Sequence, residues 1–256
     1  MAVSFHTFYS KELGYNTTVA VAFPEIQGYE KSEKNSPCKV LYLLHGKGDT
    51  YSDWIRKTKL ELYIEQENMV VVMPQGEVGF YTDTTYGTNY FRYITKELPY
   101  IMQHWYRISD RPEDTFIAGL SMGGYGALMA GLVFPEQYAG VGFFSAVVNP
   151  DTLRFEVEEE NNRLQKNLHT IFGRIKPVED RYKPEILLEK AIDKNIKLPK
   201  LIQYIGREDF LYQDNQKFLQ NARAYGAEIL YEEWNGGHEW EFWDIAIKKA
   251  VQQFCR

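Results

Sequence analysis

The stretch Asp114-Thr115-Phe116-Ile117-Ala118-Gly119-Leu120-Ser121-Met122-Gly123-Gly124-Tyr125-Gly126 decides the fold. Residues 114–118 form a short apolar run that predicts a buried strand. Residues 125–134 precede a proline and predict a helix. Between them, at 119–123, lies Gly-x-Ser-x-Gly, the pattern of a serine on a sharp strand-to-helix turn. The stretch therefore predicts a nucleophilic serine above a sheet.

Ser121 needs glycines at 119 and 123 for a steric reason. A strained turn lifts its hydroxyl above the sheet, and side chains two residues away would collide with the neighbouring strand and helix. The alternative is a glycine-rich packing turn in which the serine is incidental. The strand and helix on either side favour the catalytic interpretation.

Strand and helix patterns alternate along the rest of the chain. Strands are predicted at 3–9, 16–23, 39–44, 69–73, 114–118, 140–148, 200–205 and 228–234. Helices are predicted at 52–67, 89–106, 125–134, 213–225 and 239–254. This alternation predicts an α/β fold with about eight strands, mostly parallel, in which the first two strands form an antiparallel edge. A turn at Leu13-Gly14 joins those two strands, and a polar loop follows at 28–37.

Residues 151–199 interrupt this rhythm after the sixth predicted strand. The segment is highly charged and too long for an ordinary connection. We expect one or two helices that cross the carboxyl edge of the sheet as a small cap on the active site. A surface insertion without a role is the alternative. The chain is otherwise expected to form one domain over residues 1–256.

Composition excludes several classes of protein. The apolar and charged fractions, 44% and 25%, are those of a globular chain. A net charge of −6 without a basic run argues against nucleic-acid binding. The N-terminus lacks the pattern of a signal peptide, and no window approaches the length of a membrane span. Cys38 and Cys255 have no metal or redox spacing, so we expect free thiols in a cytoplasmic protein. A secreted form without its leader is the alternative.

A serine hydroxyl needs a base, and the partners should follow the serine on later strand-end loops. Of five histidines, His169 and His238 come after Ser121. His169 lies in the irregular segment, whereas His238 lies between the last strand and the last helix, behind two glycines. We therefore predict His238 as the general base. A capping histidine at a helix start is the alternative.

The acid that orients the base is predicted at the end of the preceding strand. Asp209 lies in Gly206-Arg207-Glu208-Asp209, directly after the strand at 200–205. Glu208 and Asp214 are the rival carboxylates, and Asp214 is expected inside the next helix. A turn or cap residue is the alternative role for Asp209.

Two backbone N–H groups are expected to stabilise the oxyanion of the tetrahedral intermediate. One belongs to Met122, directly after the nucleophile and at a helix start, where the helix dipole also favours negative charge. The other is expected in His45-Gly46-Lys47-Gly48-Asp49 after an early strand, with Lys47 as the donor. His45 itself is predicted to hydrogen-bond this loop.

Longer motifs reveal a family resemblance. The chain resembles the esterase D-like branch of the α/β-hydrolases at Leu43-Leu44-His45-Gly46, Trp54, Glu97-Leu98, the run 117–127, Gly206-Arg207-Glu208-Asp209-Phe210 and His238. That branch includes tributyrin esterases, S-formylglutathione hydrolases, feruloyl and acetylxylan esterases and mycolyltransferases. The pattern Tyr81-Thr82-Asp83-Thr84, Tyr86-Gly87 and Tyr90 is similar to that of bacterial tributyrin esterases.

The resemblance implies an α/β-hydrolase fold and the roles already assigned. These are Ser121 as nucleophile, Asp209 as acid, His238 as base, and Lys47 and Met122 as oxyanion donors. The predicted function is a serine carboxylesterase for short-chain acyl esters that needs neither metal nor cofactor. The alternatives are a feruloyl or acetyl-polysaccharide esterase, an S-formylglutathione-type thioesterase, an acyltransferase or a non-catalytic binding protein on the same scaffold.

The expected partner is an ester substrate, either a small molecule or linked to a glycan. Aromatic side chains are candidates for its pocket, and core packing is the alternative role for each: Trp54, Tyr81, Tyr86 and Tyr90. Neither a nucleic acid nor a membrane is expected as a partner, and a homo-oligomer is left open.

Overall fold

A computed structural model describes residues 1–25, 37–65, 67–84, 87–155, 163–173 and 177–256. The described strands are β1 (Ala2–Ser10), β2 (Tyr15–Phe23), β3 (Lys39–Leu44), β4 (Met69–Pro74), β5 (Thr115–Leu120), β6 (Gly140–Phe144), β7 (Lys200–Gly206) and β8 (Ile229–Trp234). They form one eight-stranded sheet in the order β1-β2-β4-β3-β5-β6-β7-β8. The predicted loop at 28–37 lies, except for Pro37, outside the described residues.

The first two strands form the predicted antiparallel edge. β1 pairs antiparallel with β2, and β2 pairs antiparallel with β4. The turn between them includes Gly14, whose φ of +80° suits glycine. The carboxylate of Glu97 accepts the Lys11 N–H at 2.7 Å and the Ser10 hydroxyl, and it thereby ties this turn to a helix on the sheet face.

The remaining strands pair in parallel and are covered on both faces. Along β3, Val40, Tyr42 and Leu44 join one hydrophobic cluster, whereas Leu41 and Leu43 join another. Strands buried on both faces read as continuous apolar runs, which explains why the sequence predicts them well.

Helices cover both faces of the sheet. They are α1 (Asp53–Lys57), α2 (Leu60–Ile64), α3 (Tyr90–Arg92), α4 (Leu98–Trp105), α5 (Met122–Val133), α6 (Pro150–Phe155), α7 (Arg163–Phe172), α8 (Pro184–Asp193), α9 (Tyr212–Tyr225) and α10 (Trp240–Phe254). Buried residues of α4, α5, α8 and α9 join the first cluster, and those of α1, α2 and α10 join the second. The result is a three-layer α/β architecture.

The prediction of one helix over 52–67 is wrong. Thr58 has an extended backbone and separates α1 from α2. Its hydroxyl donates to the Trp54 carbonyl at 2.5 Å, and the next N–H, of Lys59, donates to Asp244 at 2.8 Å. The helix breaks here because the Lys59 N–H bonds the carboxylate of Asp244, 185 positions further along the chain, instead of a carbonyl of the preceding turn.

The helix predicted over 89–106 is interrupted by a π-helical turn. This turn spans Tyr93–Glu97 and joins α3 to α4. Pro99 follows it and lacks the N–H that would bond the Thr95 carbonyl, and its ring would clash with that carbonyl in a regular helix. A widened turn before the proline relieves this conflict.

The segment between β6 and β7 also departs from expectation. The strand predicted over 140–148 ends at Phe144, because Ser145 has a φ of +45°. The described residues of this segment form three α-helices, α6 to α8, instead of one or two, and prolines stand at the start of α6 and α8. Helix α8 packs against α5 and α9 as an ordinary layer helix. The cap role of 151–199 stays a prediction.

Candidate active site

Ser121 occupies the turn between β5 and α5. Its backbone has φ +52° and ψ −115°, a conformation that non-glycine residues rarely adopt. The Ser121 N–H donates to the Phe144 carbonyl at 2.8 Å, and its carbonyl accepts the Tyr125 N–H at 3.0 Å. These bonds to β6 and α5 hold the strained turn in place.

Close backbone approach explains the glycines around the serine. A Cβ on Gly119 would lie 2.4 Å from the carbonyl carbon of Gly123. A Cβ on Gly123 would lie 2.4 Å from the Leu44 carbonyl oxygen and 2.7 Å from that of His45. Backbone atoms cannot move aside as a flexible side chain can, so the sequence pattern reflects a steric requirement.

The structure brings Ser121, His238 and Asp209 together. The Nε2 of His238 lies 3.0 Å from the Ser121 Oγ. The Nδ1 of the same ring lies 2.9 Å and 3.1 Å from the two Asp209 carboxylate oxygens. Because a carboxylate only accepts hydrogen bonds, Nδ1 carries the proton and Nε2 is left to accept from the serine hydroxyl.

Asp209, rather than its rivals, contacts the imidazole. Its side chain is fully buried, and Oδ1 also accepts the Leu211 N–H at 2.9 Å. The Glu208 carboxylate points to the next loop and accepts the Gly236 N–H at 2.5 Å. Asp214 lies in the first turn of α9, as expected.

Among the described residues, two aromatic rings flank the His238 imidazole, and neither is predicted from the sequence as a site residue. The ring centroid of Trp243 lies 4.9 Å away at 89°, and its indole N–H donates to the Ser145 hydroxyl at 3.1 Å. The ring centroid of Phe210 lies 4.6 Å away at 49°. The presence of Phe210 in the Gly206–Phe210 motif was the available signal, whereas nothing in the sequence singles out Trp243.

The two predicted oxyanion donors lie on neighbouring segments. Met122 is the first residue of α5, and Lys47 lies three residues beyond the end of β3. The carbonyls of Leu44 and His45 approach Gly123, so the end of β3 runs beside the start of α5. The role of Lys47 and Met122 as oxyanion donors stays a prediction.

His45 is buried and holds the loop, as its sequence position predicted. Its Nδ1 lies 2.7 Å from the Gly46 carbonyl oxygen, and its Nε2 accepts the Gly76 N–H at 2.8 Å. These partners fix a neutral ring with the proton on Nδ1. Burial lowers the pKa of His45 below the ordinary value. The Tyr81 hydroxyl donates to the His45 carbonyl at 3.1 Å, which adds a third anchor.

The aromatic residues considered for substrate binding are mostly core residues. Trp54 has no exposed surface and donates its indole N–H to the Leu44 carbonyl at 3.1 Å. Tyr81 is 1% exposed, and Tyr90 is buried with its hydroxyl 2.7 Å from that of Tyr15. Their burial favours the core-packing alternative. Tyr86 lies outside the described residues.

A cavity of about 170 Å³ lies away from the serine. Its lining includes Met129 and Val133 at the far end of α5, together with Tyr182. Met129 is eight residues beyond Ser121, which corresponds to about 12 Å of helix. The lining includes Tyr81, one of the candidate pocket residues, but none of Ser121, His238 and Asp209.

Other predicted features stand as follows in the described part of the chain. His169 lies within α7, whereas His238 is the histidine that contacts Ser121. Cys38 and Cys255 are not disulfide-bonded. No cluster of three or more histidine, cysteine or acidic side chains is arranged for a metal ion. None of the described helices has the length and apolarity to cross a membrane.

Comparison with known proteins places this geometry in context. The model of the Esterase family matches residues 10–254. An acetyl esterase from Caldicellulosiruptor saccharolyticus is 32% identical over 265 aligned residues, which cover 98% of this chain and 97% of that protein.

Two solved structures from Staphylococcus aureus are similar over their whole length. The fluorophosphonate-binding serine hydrolase FphF has a TM-score of 0.89 and 30% identity, and the alignment covers 100% of this chain and 98% of that one. The S-formylglutathione hydrolase FrmB has a TM-score of 0.88 and 30% identity, over 100% and 99% of the two chains. The predicted α/β-hydrolase fold is confirmed.

Proposed function

This chain belongs to the Esterase family and is a carboxylic ester hydrolase, and we propose that it is a serine esterase that cleaves short-chain acyl esters through an acyl-enzyme. The observation that carries the proposal is the continuous hydrogen-bonded chain from the Ser121 hydroxyl through His238 to Asp209. A hydroxyl, an imidazole and a buried carboxylate in this order form an activated nucleophile.

In the first half of the reaction, Ser121 Oγ attacks the ester carbonyl while His238 Nε2 accepts its proton. The Asp209 carboxylate stabilises the imidazolium that forms and keeps the ring oriented. The N–H groups of Met122 and Lys47 stabilise the oxyanion, each by roughly 3 kcal/mol. The tetrahedral intermediate then collapses, and His238 donates the proton to the leaving alcohol.

In the second half, water attacks the acyl group on Ser121. His238 accepts a proton from that water and returns it to the Ser121 oxygen as the carboxylic acid leaves. The same residues therefore serve both steps, and an acyltransferase would differ only in the acceptor that replaces water.

A relative of similar length supports a short acyl group. The acetyl esterase aligns along nearly the whole chain. We infer that this chain takes acetyl and similarly short acyl groups in preference to long ones.

Turnover of p-nitrophenyl esters tests the proposal. The wild type is expected to hydrolyse acetyl and butyryl esters faster than octanoyl and feruloyl esters, and Ser121→Ala is expected to lose at least about a thousandfold in kcat. Equal rates for the wild type and Ser121→Ala would reject the serine mechanism. A preference for the octanoyl or feruloyl ester, abolished by Ser121→Ala, would reject only the acyl preference.

The likeness to FrmB supports a second candidate function, hydrolysis of S-formylglutathione. A thioester can be cleaved by the same nucleophile, base and oxyanion donors. Comparison of kcat/KM for S-formylglutathione and p-nitrophenyl acetate separates the two functions. A higher value for the thioester would favour the second candidate.

A further inference from the structure

One large apolar side chain at the candidate active site is exposed. Phe210 is 67% exposed, the highest fraction among the large hydrophobic side chains of the described ranges. Single exposed apolar residues are common and need no explanation by themselves. Phe210 differs because its ring lies against the imidazole of His238, with 4.6 Å between the ring centroids.

The backbone that holds the acid also fixes the position of Phe210. Its two neighbours, Asp209 and Leu211, are both buried. The Leu211 N–H donates to the Asp209 carboxylate at 2.9 Å, and the Tyr212 N–H donates to the Asp209 carbonyl at 2.9 Å. This tight turn directs the side chains on either side inward and leaves the ring between them at the surface.

Of the two aromatic rings that contact the His238 imidazole, one is buried and one is exposed to solvent. Trp243 is 5% exposed and packs edge-on against His238. Trp243 belongs to the hydrophobic cluster that contains the buried residues of α10, so core atoms cover the side of the His238 imidazole that faces Trp243. Phe210, by contrast, reaches solvent. Among the two aromatic neighbours of His238, Phe210 is therefore the one that a substrate can contact.

The role of His238 as general acid requires the leaving alcohol to lie near the imidazole, and therefore near Phe210. As general acid, His238 must bring Nε2 within about 2.6–3.2 Å of the leaving oxygen. The carbon atoms attached to that oxygen then lie beside the imidazole. Because Trp243 is buried in the core and Phe210 is exposed, a bulky alcohol is expected to extend along Phe210.

We propose that Phe210 forms the leaving-group subsite and gives the enzyme a preference for esters of aromatic alcohols over esters of small aliphatic alcohols. This inference rests on the proposed function, because it uses His238 as the acid. Aromatic rings attract each other in offset and edge-to-face arrangements and also remove apolar surface from water. A benzyl leaving group gains both contributions at Phe210, whereas an ethyl group is too small to gain much of either.

Benzyl acetate and ethyl acetate test the inference. They share the acyl group, and their leaving alcohols have similar acidity, so the ratio of their kcat/KM values reports leaving-group contacts. Phe210→Ala is expected to lower the benzyl-to-ethyl ratio roughly tenfold, an effect of the size expected for an aromatic pair and its buried area. Phe210→Tyr keeps the ring and is expected to keep the ratio.

Tyr100→Ala is the matched control. Tyr100 is 63% exposed, and its ring lies against that of the exposed His104 within α4, with 4.3 Å between the centroids. Its removal is expected to leave the ratio as in the wild type. Circular dichroism of each variant checks that the fold is retained.

The outcomes separate this inference from the proposed function. If Phe210→Ala lowers both kcat/KM values by the same factor, the ring only positions or shields His238, and the subsite is rejected. An unchanged ratio with unchanged rates also rejects it. If the wild-type rate on both acetates survives Ser121→Ala, the serine mechanism fails instead.

Discussion

At the scale of single residues, the site depends on which carboxylate reaches the imidazole. Asp209 and Glu208 are adjacent, and the sequence favours Asp209 by its place after a strand and by the family resemblance. The turn from Gly206 to Tyr212 decides the matter: Asp209 turns inward to His238, and Glu208 turns to the Gly236 N–H. This distinction depends on backbone torsions, which the place of a carboxylate after a strand does not by itself determine.

Paired substitutions of these carboxylates test this assignment. Asp209→Asn is expected to lower kcat by about 10⁴-fold, because the amide favours the wrong imidazole tautomer. Glu208→Gln retains an acceptor for Gly236 and is expected to lose less than about tenfold. The measurement is kcat on p-nitrophenyl acetate. A larger loss for Glu208→Gln than for Asp209→Asn would reverse the two roles.

His45 gives the stability of the protein a pH dependence. Burial lowers the pKa of His45 in the folded state, so below the ordinary imidazole pKa of about 6.5 the unfolded chain binds more protons than the folded one. The free energy of unfolding therefore falls as the pH falls below that value, by up to about 1.4 kcal/mol per pH unit from this group.

Urea unfolding between pH 5 and 7 measures this contribution. His45→Gln is expected to have a shallower slope than the wild type, and His104→Gln, at an exposed position, serves as the matched control. Nitrogen NMR of the wild-type ring provides a second readout, because His45 is expected to carry its proton on Nδ1 and to become charged only at a lower pH than an ordinary imidazole. A ring that becomes charged at or above the ordinary imidazole pKa would contradict the assignment.

At the scale of elements, the sequence predicted strands better than helices. The parallel strands are buried on both faces, so their apolar runs are visible locally. The break between α1 and α2 depends on Asp244, far along the chain, and therefore has no local signal beyond Thr58. The short α1 nevertheless matters, since Trp54 within it bonds the Leu44 carbonyl beside the serine turn.

The junction of β3 with α5 is expected to tolerate no added side chain. Gly123→Ala would place a Cβ 2.4 Å from the Leu44 carbonyl oxygen, so the serine turn and the Lys47 loop must separate. We expect a loss of at least about a hundredfold in kcat, because a misplacement near 1 Å has this effect on positioned groups.

Gly14→Ala is the control for this junction. Its φ of +80° makes alanine unfavourable there by about 1–2 kcal/mol, but no atom lies within 4 Å of the added Cβ. It is expected to lower the melting temperature while kcat stays near that of the wild type. Similar loss of kcat in both variants would show that the junction acts only through stability.

At the scale of the whole molecule, folding lowers the reactivity of both cysteine thiols because it raises their pKa values. Burial raises the pKa of Cys38, and burial together with the Glu67 carboxylate raises the pKa of Cys255 to about 12. Because only the thiolate is nucleophilic, iodoacetamide at pH 8 is expected to label Cys255 at least about a hundredfold more slowly in the folded protein than in the urea-unfolded protein, and to label Cys38 more slowly as well.

Peptide mapping of the alkylated protein checks this expectation site by site, and Cys255→Ser identifies the contribution of the second thiol. Esterase activity is expected to survive in Cys255→Ser, since the proposed mechanism uses neither cysteine. Rapid labelling of Cys255 in the folded protein would contradict the raised pKa of that thiol.

Labelling with a fluorophosphonate tests the central claim most directly, because the reagent reacts only with an activated serine. Intact-protein mass spectrometry and peptide mapping are expected to find one adduct per chain, on Ser121 in the wild type, none in Ser121→Ala, and at least about a thousandfold slower labelling in His238→Ala. An adduct on another residue, or equal labelling rates in the wild type and His238→Ala, would contradict the account.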